Sequence, residues 1–433
     1  MRNIIKNLFL ATLLIHGAPA FADFGDRQID WTAVESEDFR DYAVRGLNGK
    51  NALLNQFWPE YWVKQRFLDL NLRSPKPLDT AIIVNMNSLS VNAFAMPGNF
   101  IGLHLGLWEF ADTEDEFLSV LAHEMSHLTL DHFLRLTDNQ SDQRWLATTG
   151  IILAILFAQE NADIASAAWL GSMAAASQNS RNFSQAMELE ADQYGQELME
   201  GSEYDPTAAR SFFQRLSSAS LGSRSYEFLQ THPYGSTRAA RLDNQQPTEQ
   251  SGQASEPTAF DALRYFILQK KGVRTASPYD GWQPESLQTD PNVLFGWYEH
   301  EYSRTEDTTG HLNNLDNLIT AHRGFLPAYL RRLELLEETD DTARLCDSYF
   351  EFRDLINSDY VTLDVISVMR EVSLHCQPNQ HPEWYAQELW QSGQEQRAIQ
   401  FLRRVIQDET SSNLLARRRV MLTEMERRYQ RFR

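Results

Sequence analysis

The sequence predicts an α+β chain: a mostly helical domain with a small β-sheet, followed by an all-helical domain. Three observations carry this. Short apolar runs at 81–84 and 91–95 are followed by a Pro97-Gly98-Asn99 turn signal and a returning run over 100–107, the pattern of a small sheet. Around them, apolar residues recur at helical spacing. Beyond residue 258, only helical patterns of ten to fifteen residues remain.

The 433 residues carry 39 Lys and Arg against 59 Asp and Glu, a formal charge of −20. Hydrophobic residues make up 42% and aromatics 11%, which is enough for a sizeable core and excludes a chain disordered throughout. Mean hydropathy is −0.46, which excludes a polytopic membrane protein. The acidic balance lacks the basic footprint of a nucleic-acid binder, so no nucleic acid is expected as a partner. Two cysteines exclude a disulfide-rich scaffold and a cysteine zinc cluster.

Residues 1–22 read as a cleavable signal peptide. Arg2 and Lys6 make a positive start, 8–15 is a short apolar core, and Ala18-Pro19-Ala20 and Ala20-Phe21-Ala22 both offer cleavage sites, of which Ala22 is preferred. No cysteine follows, so a lipoprotein anchor is not expected. The compartment is then oxidising, a bacterial periplasm.

Residues 36–72 read as helical, with Leu47, Leu53, Phe57 and Trp62 as apolar positions. A long helix is expected over 114–136, then a polar loop at 137–147. Two apolar runs, 151–158 and 162–176, are broken by Gln159-Glu160-Asn161 and do not make one membrane span. Buried helices are the reading preferred for them, with peripheral membrane contact through 151–176 as the alternative. A further helix covers 186–199. Residues 246–257 carry linker chemistry and divide a domain at 23–245 from a helical domain at 258–433. In that second domain, the spacing from Gly393 to Ile406 is that of the second half of a tetratricopeptide repeat, with 384–390 supplying the first helix. Any amphipathic helical hairpin would give the same pattern. Cys346 and Cys376, thirty residues apart, suit either a disulfide or two small buried hydrophobes.

The chemistry concentrates at His123-Glu124-Met125-Ser126-His127. On a helix, His123 and His127 lie one turn apart on one face. Two imidazoles there can bind one zinc ion, and Glu124 beside them can act as a general base on water. A third ligand is expected from Glu188-Leu189-Glu190-Ala191-Asp192, which begins 61 residues beyond His127. Glu188 and Asp192 share a face, which suits a ligand and a carboxylate that orients a liganding histidine. Glu190 lies about 160° around the helix from Asp192 and is the poorer ligand. His132, nine residues after His123, faces elsewhere on a straight helix and reads as structural.

These motifs, with the Asn92-to-Gly98 stretch and Thr231-His232-Pro233 followed by Arg238, stand in an order that resembles the zinc peptidases of family M48. Within that family, the signal peptide and helical C-terminal part look most like the periplasmic BepA-like group. The resemblance covers residues 75–245. It implies a zincin-type metalloprotease domain with one zinc ion held by His123, His127 and Glu188, and Glu124 as general base. It implies that Asn92, Ala93, Phe94, Ala95, Met96, Pro97 and Gly98 form an edge strand that pairs with extended substrate. His232 would be a removable fourth ligand or an oxyanion group, with Asp192 and Arg238 in support. The implied activity is a periplasmic endopeptidase acting on misfolded or stalled outer-membrane proteins. Its implied partners are unfolded or extended polypeptides and an outer-membrane assembly machine met through the C-terminal helices. The rival reading is a chaperone or scaffold acting through helical repeats with a latent metal site. The C-terminal domain is shorter and more weakly repetitive than in that group.

Overall fold

The computed structural model describes residues 37–79, 81–96, 98–132, 135, 178–220, 228, 232, 256–287, 289–356 and 361–431. The signal-peptide stretch 1–22, the apolar runs within 151–176, residues 246–255 of the linker, Pro97 and Arg238 lie outside them. The helical stretch expected over 36–72 is two helices, α1 (Glu37–Gly49) and α2 (Phe57–Arg73). Asn51 and Asn55 between them hold φ values of 55° and 50°, a region that asparagine tolerates better than most residues. The break lets Leu53 form an antiparallel bridge with Met86.

Strands β1 (Ile82–Met86), β2 (Ala93–Met96) and β3 (Phe100–His104) form one sheet in the order β1-β3-β2. β1 runs parallel to β3, with Ile82 opposite Phe100, and β2 runs antiparallel to it, with Phe94 opposite Gly102. The returning strand expected to reach Leu107 ends at His104, where α3 (Leu105–Phe110) begins. Two contacts fix that switch. Trp108 is fully buried and donates Nε1–H to Asn85 Oδ1 at 2.9 Å. Gly106 lies so close to the chain at Leu89 and Ser90 that a Cβ would stand 2.3 Å from the Ser90 carbonyl oxygen.

Helix α4 (Glu114–Thr129) starts at Thr113, whose side chain accepts from Glu116 N at 3.2 Å. Glu114, Asp115 and Glu116 then sit at the positive end of the helix dipole. The helix ends seven residues short of the expected 136. Asp131 adopts φ 55°, and Lys76 Nζ closes the end by donating to Thr129 O at 3.0 Å and Asp131 Oδ2 at 2.6 Å. α5 (Gln178–Glu200) packs along α4, and α6 (Ala208–Ser220) follows. At the α4–α5 crossing, a Cβ on Gly195 would lie 3.2 Å from the backbone of Ala122 and His123, so the helices meet almost backbone to backbone.

Among the described residues, the elements that follow are helices: α7 (Ala259–Lys270), α8 (Pro291–Thr305), α9 (Thr308–Ala321), α10 (Leu326–Glu337), α11 (Thr342–Leu355), α12 (Leu363–Cys376), α13 (His381–Gln391), α14 (Glu395–Asp408) and α15 (Ser412–Arg431). Asp290, Asp307 and Asp341 cap three of them by accepting backbone N–H groups, and Thr258 with Asp261 forms a capping box at α7. One apolar core runs through both halves of the chain. Trp58 of α2 meets Phe295 of α8 with ring centroids 4.8 Å apart, and Trp108 stacks on Phe260 of α7 at 5.6 Å. Asp364 of α12 caps α2, taking the Phe57 N–H at 2.6 Å. α1 ties the sheet to α13 and α14. Its Arg40 Nη1 donates to Gly98 O at 3.3 Å. Arg45 pairs with Asp41 and Glu395 while lying over the Trp390 ring. Among the described residues, no helix is long and apolar enough to cross a membrane.

Cys346 of α11 and Cys376 of α12 are joined in a disulfide. Closing a loop of this length removes unfolded-state entropy worth about 3–4 kcal/mol. Cys346→Ser with Cys376→Ser should therefore lower the unfolding free energy, read from denaturant titration, by an amount of that order. Peptide mapping without reductant should show the linked pair, and recovery of two free thiols would contradict the pairing.

Candidate metal centre

The site is built where α4 and α5 cross. His123 and His127 stand one turn apart on α4, and Glu188 projects from the facing side of α5. His232 arrives from the stretch that follows α6, its N–H donating to Phe228 O at 2.8 Å and its ring 4.7 Å from that of Phe228. Phe228 is itself buried among Phe212 and Phe213 of α6. Apolar packing thus delivers a polar ring to a buried place.

Four donors converge there: one atom each from His123, His127, Glu188 and His232, all within 4.8 Å of one another, on residues that are all buried. His123 Nε2 lies 3.1 Å from His127 Nε2, 3.4 Å from His232 Nδ1 and 3.5 Å from Glu188 Oε2. Glu188 lies 3.2 Å from His232 Nδ1 and 3.6 Å from His127 Nε2. A tetrahedral ion with bonds of about 2.0–2.1 Å places its ligand atoms about 3.3 Å apart. The observed separations bracket that value, and three imidazole nitrogens with one carboxylate oxygen are a donor set that suits zinc. The residues present therefore fit a bound divalent metal.

The surroundings hold the donors in place. Asp192 Oδ1 lies 3.1 Å from His123 Nδ1, on the side of that ring away from the cluster. Burial alone would lower the His123 pKa, but its hydrogen bonds to Asp192 and Glu188 carry it up to about 9. Burial pushes His127 well below its ordinary value, so this ring is neutral and free to ligate. Burial would raise Glu188, yet the neighbouring His232 and hydrogen bonds from two histidines hold it well below the usual carboxylate range. Glu124 is fully buried, and burial pushes its carboxyl up against the pull of His232 and His123. His232 Nε2 stands 3.3 Å from Glu124 Oε1, so the His232 ring touches the ligand cluster with one nitrogen and Glu124 with the other.

Strand β2 lies at the edge of the sheet next to this site. Phe94 and Met96 pack with α1 in one apolar cluster, and Ala93 and Ala95 pack on the α4 side in the main core. Phe94 lies across Gly102, where a Cβ would clash with its ring. The side chains of β2 are thus core, and what the strand can offer a partner is its backbone. Asn92 O accepts from His104 N at 3.0 Å, which turns the polar groups of Ala93 and Ala95 to the outer edge. The Ala95 backbone lies beside Glu124. At the start of the strand, Phe228 N donates to Val91 O at 3.2 Å, so the stretch carrying His232 already rests on this edge.

The placement of His132 corrects the expectation from a straight helix. Because α4 ends at Thr129 and the chain turns at Asp131, His132 Nδ1 comes within 2.9 Å of His127 Nδ1. The run His123 to His132 gave no sign of the turn, since the Lys76 that closes it lies 55 residues upstream of Asp131.

Residues 58–246 match the sequence profile of peptidase family M48. The chain is 30% identical over 308 residues to the beta-barrel assembly-enhancing protease of Escherichia coli K12, an alignment covering 68% of this chain and 63% of that protein. The protein of the same name from Yersinia pestis is 35% identical over 160 residues, covering 37% of this chain and 33% of the relative. The metalloprotease LoiP of E. coli is 31% identical over 152 residues, covering 35% of this chain and 57% of the relative. The chain thus spans less than two thirds of each of these proteins.

Proposed function

The chain belongs, through residues 58–246, to metallopeptidase family M48, and we propose that it is a zinc-dependent endopeptidase of the bacterial envelope. The observation that carries this is the convergence of His123, His127, Glu188 and His232 beside the buried carboxylate of Glu124 and the outer edge of β2. Zinc held there supplies Lewis-acid polarisation of a peptide carbonyl and acidifies water. Glu124 takes the proton of the attacking water at a carboxylate oxygen and returns it to the departing amine. The backbone of Ala93 and Ala95 aligns an extended substrate by strand pairing, which selects unfolded over folded chains.

The signal peptide at 1–22 supports export to the periplasm, where the disulfide would form. Misfolded or stalled outer-membrane proteins are the proposed substrates, in line with the name of the E. coli relative. The hairpin of α13 and α14 serves as a TPR-like element of a C-terminal domain that meets an outer-membrane assembly machine. The test is hydrolysis of casein by the purified full chain. Cleavage should stop on removal of metal by a chelator and return with about one equivalent of zinc. Cleavage that persists without metal would overturn the reading.

His232 acts as a cover in this proposal. Its ring spans the ligand cluster and Glu124, which keeps the base from water until substrate arrives. His232→Ala should therefore raise basal casein hydrolysis and self-cleavage at matched zinc content. A fall in activity would instead assign the ring to the oxyanion, and no change would remove both roles.

A further inference from the structure

On the side of His127 away from the donor cluster lies a second group of polar side chains. His132 Nδ1 is 2.9 Å from His127 Nδ1, and His132 Nε2 is 3.4 Å from Glu190 Oε2. Glu190 in turn accepts two hydrogen bonds from Arg135, at 2.5 and 3.2 Å. His132 is 2% exposed, while Glu190 and Arg135 lie at the margin of the site.

Two imidazole nitrogens 2.9 Å apart need one proton between them. His127 turns Nε2 toward His123 and Glu188. A neutral imidazole that ligates through Nε2 carries its proton on Nδ1. That proton points at His132, whose Nδ1 must then accept it. The remaining proton of His132 sits on Nε2, facing Glu190, and a carboxylate held by a guanidinium is the partner such an N–H prefers. Every donor and acceptor is consistent in this one arrangement, and reversing any tautomer sets two protons or two lone pairs against each other.

We propose that His132, Glu190 and Arg135 form a positioning relay that locks His127 in the tautomer with its Nε2 lone pair on the metal. The relay rests on the reading of the four-donor cluster as a metal site. It gives α5 a hold on both α4 histidines: Asp192 meets His123 directly, and Glu190 meets His127 through His132. The turn at Asp131, closed by Lys76, is what brings the intermediary into place.

The test is zinc affinity of the full chain by competition with a chromophoric chelator, together with the ring-nitrogen NMR spectrum of His127 in the zinc-loaded protein. His132→Leu removes the acceptor and should weaken zinc binding about 10–100-fold. His132→Asn offers an amide oxygen to the same proton and should recover most of that loss. Glu190→Gln keeps an acceptor without the charge and should cost a smaller factor. The parent spectrum should show a protonated Nδ1 on His127, altered in His132→Leu. Affinity in folded His132→Leu within twofold of the parent would overturn the relay. If that variant fails to fold, unchanged zinc affinity in Glu190→Gln, with His127 of the parent protonated on Nε2, would overturn it equally. A parent that binds no zinc would instead remove the metal-site reading beneath it.

Discussion

Glu124→Gln is expected to lose casein hydrolysis by about 10²–10⁴-fold while keeping its zinc. Glutamine has nearly the volume of glutamate, and Glu124 lies outside the four-donor cluster, so neither packing nor ligation changes. What disappears is the ability to accept a proton from water. The carboxyl is suited to that task by its place: burial pushes its pKa up from the ordinary carboxylate range, which makes it a stronger base when ionised. His232 Nε2 lies 3.3 Å from Glu124 Oε1, a contact that an amide of the same shape keeps. Measurement of turnover at equal zinc occupancy checks the prediction. Retention of more than about a tenth of parental activity would be far too much for loss of a general base and would point to another group.

Glu188→Ala should abolish stoichiometric zinc. Glu188 supplies the only carboxylate oxygen among the converging donors, and its removal leaves three imidazoles, of which His232 is held by a separate stretch of chain. The loss of the anion also leaves His123 and His127 without the charge that opposes that of the metal. Glu190→Ala is the control from the same helix. It removes a hydrogen-bond partner of His132 and not a donor, so the purified protein should still carry nearly one zinc per chain. A tight site weakened about tenfold remains full at micromolar protein concentration. Elemental analysis of the two variants decides the assignment: near-stoichiometric zinc in Glu188→Ala would exclude Glu188 as a ligand.

The local signals read well where local physics decides. The sheet was legible from apolar runs flanking the Pro97-Gly98-Asn99 turn signal, and Gly98 and Asn99 hold φ values of 86° and 57°. Where the reading missed, the cause was distant. The break between α1 and α2 is held by the bridge from Leu53 to Met86, and the early end of α4 by Lys76.

What the sequence by itself determined is the set of chemical parts and their helical phase. His123 and His127 fall on one face by a four-residue spacing, and Glu188 with Asp192 on another by the same rule. Three-dimensional packing decided the rest. It set α5 against α4 at Gly195, brought His232 across 109 residues to the cluster, and folded His132 back on His127. It also merged the core of the two halves around Trp58, Trp62 and Phe260. The physical reason is range: periodicity and capping act within a few residues, whereas a donor cluster is assembled by apolar burial between segments that share no local pattern.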